Sequence, residues 1–161
     1  MLSKLKQIKN NKNGINATII IYLLYLEKRY HSLFLKILRK LVWQPYLCIN
    51  LQPSSFTLQS LLTLRLPHPY MIIIHGGCRV GEHCTIYHEC TLGMIETKST
   101  KVPTIMDNVY IGCKSLILGG VTLHKGVIIG AGSIVTKDVP ANHTTFAYIA
   151  TRKNNQSSHN K

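Results

Sequence analysis

Hydrophobic and polar positions follow two different rules along this chain. From Ile74 onward, aliphatic residues recur every six positions. One series runs Ile74, Val80, Ile86, Leu92, and a second runs Ile105, Ile111, Ile117, Leu123, Ile129, Val135. Gly follows directly in Val80-Gly81, Leu92-Gly93, Ile111-Gly112 and Ile129-Gly130. Four residues after the aliphatic positions stand small or apolar residues: Cys78, Cys84, Cys90, Val109, Ser115, Val121, Val127, Ser133 and Val139. A period of six fits neither a helix of period 3.6 nor a strand of period two. It describes a chain that makes a short strand, turns a corner and repeats. Three such strands close a triangular coil of about 18 residues with the aliphatic side chains inward. Ile74 is then expected under Leu92, Ile105 under Leu123, and Ile111 under Ile129. Each coil buries its apolar face only against its neighbours, so stability accumulates along the stack.

The phase breaks once. Met94 to Pro103, between Leu92 and Ile105, is polar and predicts a loop extruded from the scaffold. Upstream, the register extends weakly to Phe56, Leu62 and His68, after an irregular entry at Pro53-Ser54-Ser55. Before that, Ala17 to Trp43 reads as helical, with Leu33, Ile37 and Leu41 on one stripe and Leu35, Leu38 and Val42 broadening it. Asn11-Lys12-Asn13-Gly14 interrupts any earlier helix, and Gln44-Pro45 ends the second helical stretch. The expected organisation is a basic helical region over 1–46, a coiled β domain over 47–151, and a polar tail over 152–161.

Composition sharpens this division. The chain has 161 residues, which suits one domain with a short appendage. Hydrophobic residues at 45% and a mean hydropathy of +0.09 exclude general disorder. Residues 1–50 hold nine Lys or Arg and one acid, Glu27, whereas residues 70–151 hold six bases and five acids. A uniformly basic nucleic-acid-binding domain is therefore excluded. Five Cys is an odd number and gives no disulfide framework, which points to a reducing compartment. Residues 1–26 are basic and then apolar, but Glu27-Lys28-Arg29 follows without a small-residue cleavage site, so a signal peptide is not expected.

His68 stands between Pro67 and Pro69, at a position where the weak register calls for an aliphatic residue. Two readings are open on position alone: a buried, hydrogen-bonded histidine, or a functional one. Cys78, His83, Cys84, His88 and Cys90 invite a zinc site. The register opposes it, because the three cysteines fall on three successive sides of a coil.

Three stretches carry a family resemblance. They are Leu66 to Ile74 followed by Val80 to Gly93, then Ile105 to Gly112, and then Ile117 to Thr122 with Ile129 to Pro140. Together they resemble the hexapeptide-repeat acyltransferases, within them the serine acetyltransferase branch and its shorter relatives in surface-polysaccharide biosynthesis. The resemblance covers about residues 64–152. It implies a mainly β fold, a left-handed parallel β-helix preceded by a short α-helical region. Left-handedness is a known exception to the crossover rule. It also implies a homotrimer with sites between subunits and acetyl-CoA as acyl donor, while the cysteine register leaves no metal expected.

The resemblance places the family's general base at His68. Its usual acid, fifteen residues earlier, falls on Pro53, or on Asn50 if an insertion is allowed. Donor contacts map to Gly93, Met94, Gly112, Cys113 and Ala131, with Lys137 and Arg152 as candidates for the nucleotide phosphates. His88 either faces the same groove and binds acceptor or is a solvent-facing turn residue. The second histidine of the serine-specific branch is replaced by Val102, and Met71 replaces a frequent Gly. These departures, with the short N-terminal region, point to a saccharide hydroxyl as acceptor. Serine O-acetylation is the alternative, and a non-catalytic β-helical partner the second alternative. The expected location is the cytoplasm, with either a trimer-packing helix pair or contact with an anionic membrane assigned to the basic N-terminal region.

Overall fold

The computed structural model describes residues 2–43, 49–95 and 100–146. The expected domain boundary after residue 46, the tip of the extruded loop and Arg152 lie outside the described residues.

Three helices open the chain: α1 (Leu2–Asn10), α2 (Ile15–Tyr30) and α3 (Leu33–Leu38), the last continued by a π turn at Arg39–Trp43. The expected single helical stretch is broken at His31, which is left-handed (φ 49°) and caps α2 on the Glu27 carbonyl. Ser32 then restarts the helix by accepting from the Leu35 N–H. A further short helix, α4 (Leu58–Thr63), was not legible as a helix in the sequence. Its six residues are held by a capping box between Thr57 and Ser60.

The remainder is a stack of two- and three-residue strands: β1 (Asn50–Leu51), β2 (Ile73–Ile74), β3 (Arg79–Val80), β4 (Thr85–Ile86), β5 (Thr91–Gly93), β6 (Thr104–Ile105), β7 (Tyr110–Ile111), β8 (Leu116–Leu118), β9 (Thr122–Leu123), β10 (Ile128–Ile129), β11 (Ile134–Val135) and β12 (Thr144–Thr145). They pair in parallel into three sheets, β1-β2-β5-β8-β11, β12-β10-β7-β4 and β3-β6-β9. Each sheet forms one side of a left-handed parallel β-helix. The inward residues stack as the six-residue period requires. Ile74 pairs with Leu92, Ile105 with Leu123, and Ile111 with Ile129. All six are 0–2% exposed. Each such side chain contributes about 1.5–3 kcal/mol relative to an exposed one.

The fourth-position residues also point inward. Cys78, Cys84 and Cys90 are 0–1% exposed, and their Sγ atoms meet the carbonyls of Leu92, Met106 and Gly112. The three thiols therefore occupy the interior of the coil on three different sides. Burial pushes each of them up to about 11. Among the described residues, no group of three or more His, Cys, Asp or Glu is placed to hold a metal ion.

The upstream register differs from expectation. The inward positions of the first coil are Leu51, Phe56 and Leu66, which pair with Ile74, Val80 and, beside the Arg65–Thr85 bridge, Ile86. Leu62 belongs to α4, and His68 is an exposed corner residue. The reason is that α4 is inserted between two sides of that coil, which shifts the count.

The helices are fastened to the first coil by buried polar contacts. Asn13, between α1 and α2, donates from Nδ2 to the carbonyls of Ile8 and Leu64 at 3.1 and 2.9 Å. Its Oδ1 accepts from the Leu66 N–H at 2.8 Å. Arg39 pairs with Glu27 at 2.9 Å and donates to the Leu51 carbonyl. No helix among the described residues is long and apolar enough to cross a membrane.

Candidate functional site

One corner of the coil turns from the β4-β7-β10 side to the β2-β5-β8-β11 side. In each turn the chain must pass through a left-handed residue: Met71 (φ 52°), Glu89 (φ 57°), Lys114 (φ 59°) and Gly132 (φ 71°). The Met71 position is one where glycine would carry no steric penalty. Backbone bonds tie the corners into a ridge, from Glu89 N–H to Tyr70 O, Lys114 N–H to His88 O, and Gly132 N–H to Cys113 O. Tyr70, His88, Cys113 and Ala131 thus stand one above another.

His68 projects from the lowest corner. Leu66 below Ile86 fixes one end of that corner, and Ile73 beside Thr91 fixes the other. Two residues more than in the corner above are accommodated between these ends, in Pro67-His68-Pro69-Tyr70. The imidazole is exposed and surrounded by rings. Tyr70, Tyr87 and His88 lie with ring centroids 6.5, 6.1 and 5.7 Å from it. Tyr70 stacks on His88 at 4.9 Å, and Tyr87 meets Tyr110 at 5.4 Å. The carboxylate of Glu89 is 3.8 Å from His88 Nε2 and 3.6 Å from Lys114 Nζ. Two nitrogens near this face, His88 Nδ1 and Arg65 Nε, are buried with no hydrogen-bond partner among the described residues.

The three tyrosines were missed in the sequence. Tyr70 could have been found by counting the Pro-His-Pro corner as two residues longer, which places it under His88. Tyr87 and Tyr110 flank the inward residues Ile86 and Ile111, and that adjacency was the available signal.

Of the residues singled out in sequence, His68, His88, Gly112, Cys113 and Ala131 share this ridge. Gly93, Met94 and Lys137 do not. They lie past the other end of the β2-β5-β8-β11 side, where Gly93 pairs with Leu118 and Lys137 follows β11. Asn50 sits in β1 beside Ile73, and its Oδ1 accepts from Gln52 Nε2 at 2.8 Å rather than from His68. Pro53 belongs to a 3-10 turn on the helical side, where its carbonyl accepts from Lys28 Nζ. Val102 packs on the Gly77 corner.

The glycines separate by cause. A Cβ on Gly112 would lie 2.6 Å from the Ala131 nitrogen and 2.9 Å from the Ile129 carbonyl oxygen, so coil spacing alone requires glycine there. A Cβ on Gly93 would meet nothing closer than 3.9 Å. Its bare backbone has no packing cause among the described residues.

This geometry agrees with what the comparisons found. Residues 103–137 match the bacterial transferase hexapeptide family (six repeats). A serine acetyltransferase of Staphylococcus xylosus is 32% identical over 138 residues, spanning 81% of this chain and 60% of that protein. A serine acetyltransferase of Bacillus pumilus is 38% identical over 88 residues, spanning 54% of this chain and 40% of that protein. Among solved structures, serine acetyltransferase from Brucella abortus in complex with coenzyme A has a TM-score of 0.64 at 26% identity, over 80% of this chain and 50% of that one. Entamoeba histolytica serine acetyltransferase 1 in complex with L-cysteine has a TM-score of 0.64 at 25% identity, over 84% and 52%. Residues 103–137 thus carry the repeats of the hexapeptide transferase family. Within it, the relatives and structural neighbours named above are serine acetyltransferases, of which this chain spans 40% to 60% of the length.

Proposed function

We propose that this chain is an acetyl-CoA-dependent O-acetyltransferase with His68 as general base. The observation that carries the reading is the exposed His68 imidazole on the ridge of a hexapeptide β-helix, ringed by Tyr70, Tyr87 and His88. The names of the relatives and the coenzyme A complex of the Brucella abortus protein support the donor. The residues present fit it, since Gly93 offers a strand end whose backbone is left open by the described residues.

When bound, acetyl-CoA supplies an acetyl group activated as a thioester. His68 handles the proton. A hydroxyl is a poor nucleophile near neutral pH, and a positioned imidazole that takes its proton during attack contributes about 10²–10⁴-fold. As the new C–O bond forms, the C–S bond breaks. His68 then returns the proton to the departing sulfur, leaving an acetyl ester and a free thiol. No covalent bond to the protein is needed.

His88, edge-on to His68 on the same ridge, contacts the acceptor. Gly93, Met94 and Lys137 of one subunit and the ridge of its neighbour line a shared donor groove in a homotrimer, which accounts for their placement at opposite edges of one side. The nucleotide phosphates fall to Lys137 and to Arg152, which lies outside the described residues, and Asn50 acts on His68 only through the strand pair it forms with Ile73.

L-serine is the acceptor that the relatives support. A saccharide hydroxyl is the second reading, favoured by the wall of Tyr70, Tyr87 and Tyr110 rings, on which the apolar face of a sugar packs. The test follows free thiol released from acetyl-CoA with L-serine or with a panel of sugars and sugar nucleotides. Release with serine alone establishes the first acceptor, and release with a sugar alone establishes the second. No release together with no acetyl-CoA binding by calorimetry overturns the transferase reading.

A further inference from the structure

The helical region carries a surface that the coil chemistry does not use. Along α3 and its π turn, Leu33, Phe34, Ile37 and Leu41 are 70%, 71%, 46% and 71% exposed. Leu33, Ile37 and Leu41 follow at i, i+4 and i+8, and Phe34 stands three residues before Ile37 and seven before Leu41, which places the four on one face. Lys36 and Lys40 run as a parallel row beside them, and both are exposed. A groove of about 500 Å³ opens along the same edge, lined by Lys28, His31, Lys36 and the Glu27–Arg39 ion pair on one side and by the Pro53–Ser54 turn on the other. The acid in this region, Glu27, is already engaged by Arg39.

We propose that this face docks on an anionic lipid bilayer. Leu33, Phe34, Ile37 and Leu41 enter the headgroup boundary, and the Lys28–His31–Lys36 groove takes the phosphate of an anionic headgroup. Charge selects this occupant over a second copy of the chain. A two-fold pairing of this face on itself would bring Lys36 and Lys40 against their own counterparts, and Glu27, the acid of this region, is already paired with Arg39. An anionic surface instead neutralises both rows while burying the apolar one. The combination of a polar basic face with large apolar side chains is that of an interfacial helix rather than a spanning one.

The test is sedimentation of the full-length protein with vesicles of phosphatidylcholine alone or with roughly a third phosphatidylserine. Binding is expected to be at least about tenfold tighter on the anionic vesicles, and to weaken as salt is raised. Lys36→Gln and Lys40→Gln should each weaken it about fivefold. The pair Phe34→Ser and Leu41→Ser should weaken it more than about tenfold. All four side chains are exposed, so the melting temperature should hold and confirm folding.

Equal binding to neutral and anionic vesicles overturns the proposal. So does a loss of assembly mass by light scattering in the Phe34→Ser, Leu41→Ser variant with vesicle binding unchanged, which assigns the face to a second copy. Inorganic phosphate that raises the melting temperature of the parent but not of Lys36→Gln, without vesicle binding, assigns the groove to a free anion and also overturns it. None of these readouts depends on acetyl transfer.

Discussion

His88 stands edge-on to His68, with ring centroids 5.7 Å apart and planes at 76°. The two are twenty residues apart and belong to successive coils, so only the stacking of one turn on the next brings them together. Glu89 holds one edge of His88, and Tyr70 covers its face at 4.9 Å. His88 is thereby fixed while His68 faces solvent.

His68→Ala should reduce thiol release from acetyl-CoA by about 10²–10⁴-fold, the range for losing a positioned base. Stability should change by no more than about 0.5 kcal/mol, because the side chain is exposed. A steady-state assay beside a thermal melt reads both. Turnover within twofold of the parent would remove His68 from the chemistry.

His88→Phe retains a ring to stack on Tyr70 and removes both ring nitrogens. The acceptor KM should rise about tenfold, the loss of one hydrogen bond of about 1.4 kcal/mol, with kcat and the donor KM within twofold. A change confined to the donor KM would place the acceptor elsewhere.

Gly112→Ala and Gly93→Ala should part company. The first forces two coils apart at contacts of 2.6 and 2.9 Å and should cost about 1–3 kcal/mol in urea unfolding. The second has room and should be neutral in stability while weakening acetyl-CoA binding in calorimetry. Equal stability loss in both would mean that Gly93 is held by packing after all.

The buried thiols set the alkaline limit of the fold. Burial raises Cys78, Cys84 and Cys90 to about 11 from 9.0. Between those values the unfolded chain releases protons that the folded chain keeps, so stability falls as pH rises through this window. The slope is at most about 1.4 kcal/mol per pH unit for each thiol. Below pH 9 the thiols contribute no slope. Urea unfolding from pH 8 to 11 measures this, and a flat profile would contradict it. Iodoacetamide at pH 8 should label Cys113, which is half-buried, ahead of Cys78, Cys84 and Cys90.

Much of the fold was legible because a period of six leaves no other economical geometry. Ile74 under Leu92 and Ile111 under Ile129 follow from counting alone. What counting missed lies where the chain departs from the period. α4 interrupts the first coil, and its start is announced only by Thr57 and Ser60, a local capping signal without an apolar repeat. His68 was therefore assigned to an inward position that Leu66 occupies. The site was half legible. The Pro-His-Pro sequence marked His68, but Tyr70 and Tyr87 beside it come from two different coils and depend on corner lengths. The helical stripe was visible in Leu33, Ile37 and Leu41, whereas its exposure depends on α3 turning away at His31, a left-handed residue with no glycine to signal it.

Asn13→Ala should cost about 2–4 kcal/mol, since it leaves the buried Leu66 N–H and Leu64 carbonyl without their partner. A loss below about 0.5 kcal/mol would show that this residue does not fasten the helices to the coil.

That fastening also bears on how the chain is made. A stack of coils grows by adding each turn to the one before, and such a stack can start at any rung. Here the lowest rung is closed by Asn13, a residue translated about fifty positions earlier, so the helices leave the ribosome first and wait for the strand that completes them. Assembly then has a direction. The segment bearing Leu66, two residues before His68, is the one that Asn13 holds, and every later turn is laid down on that base.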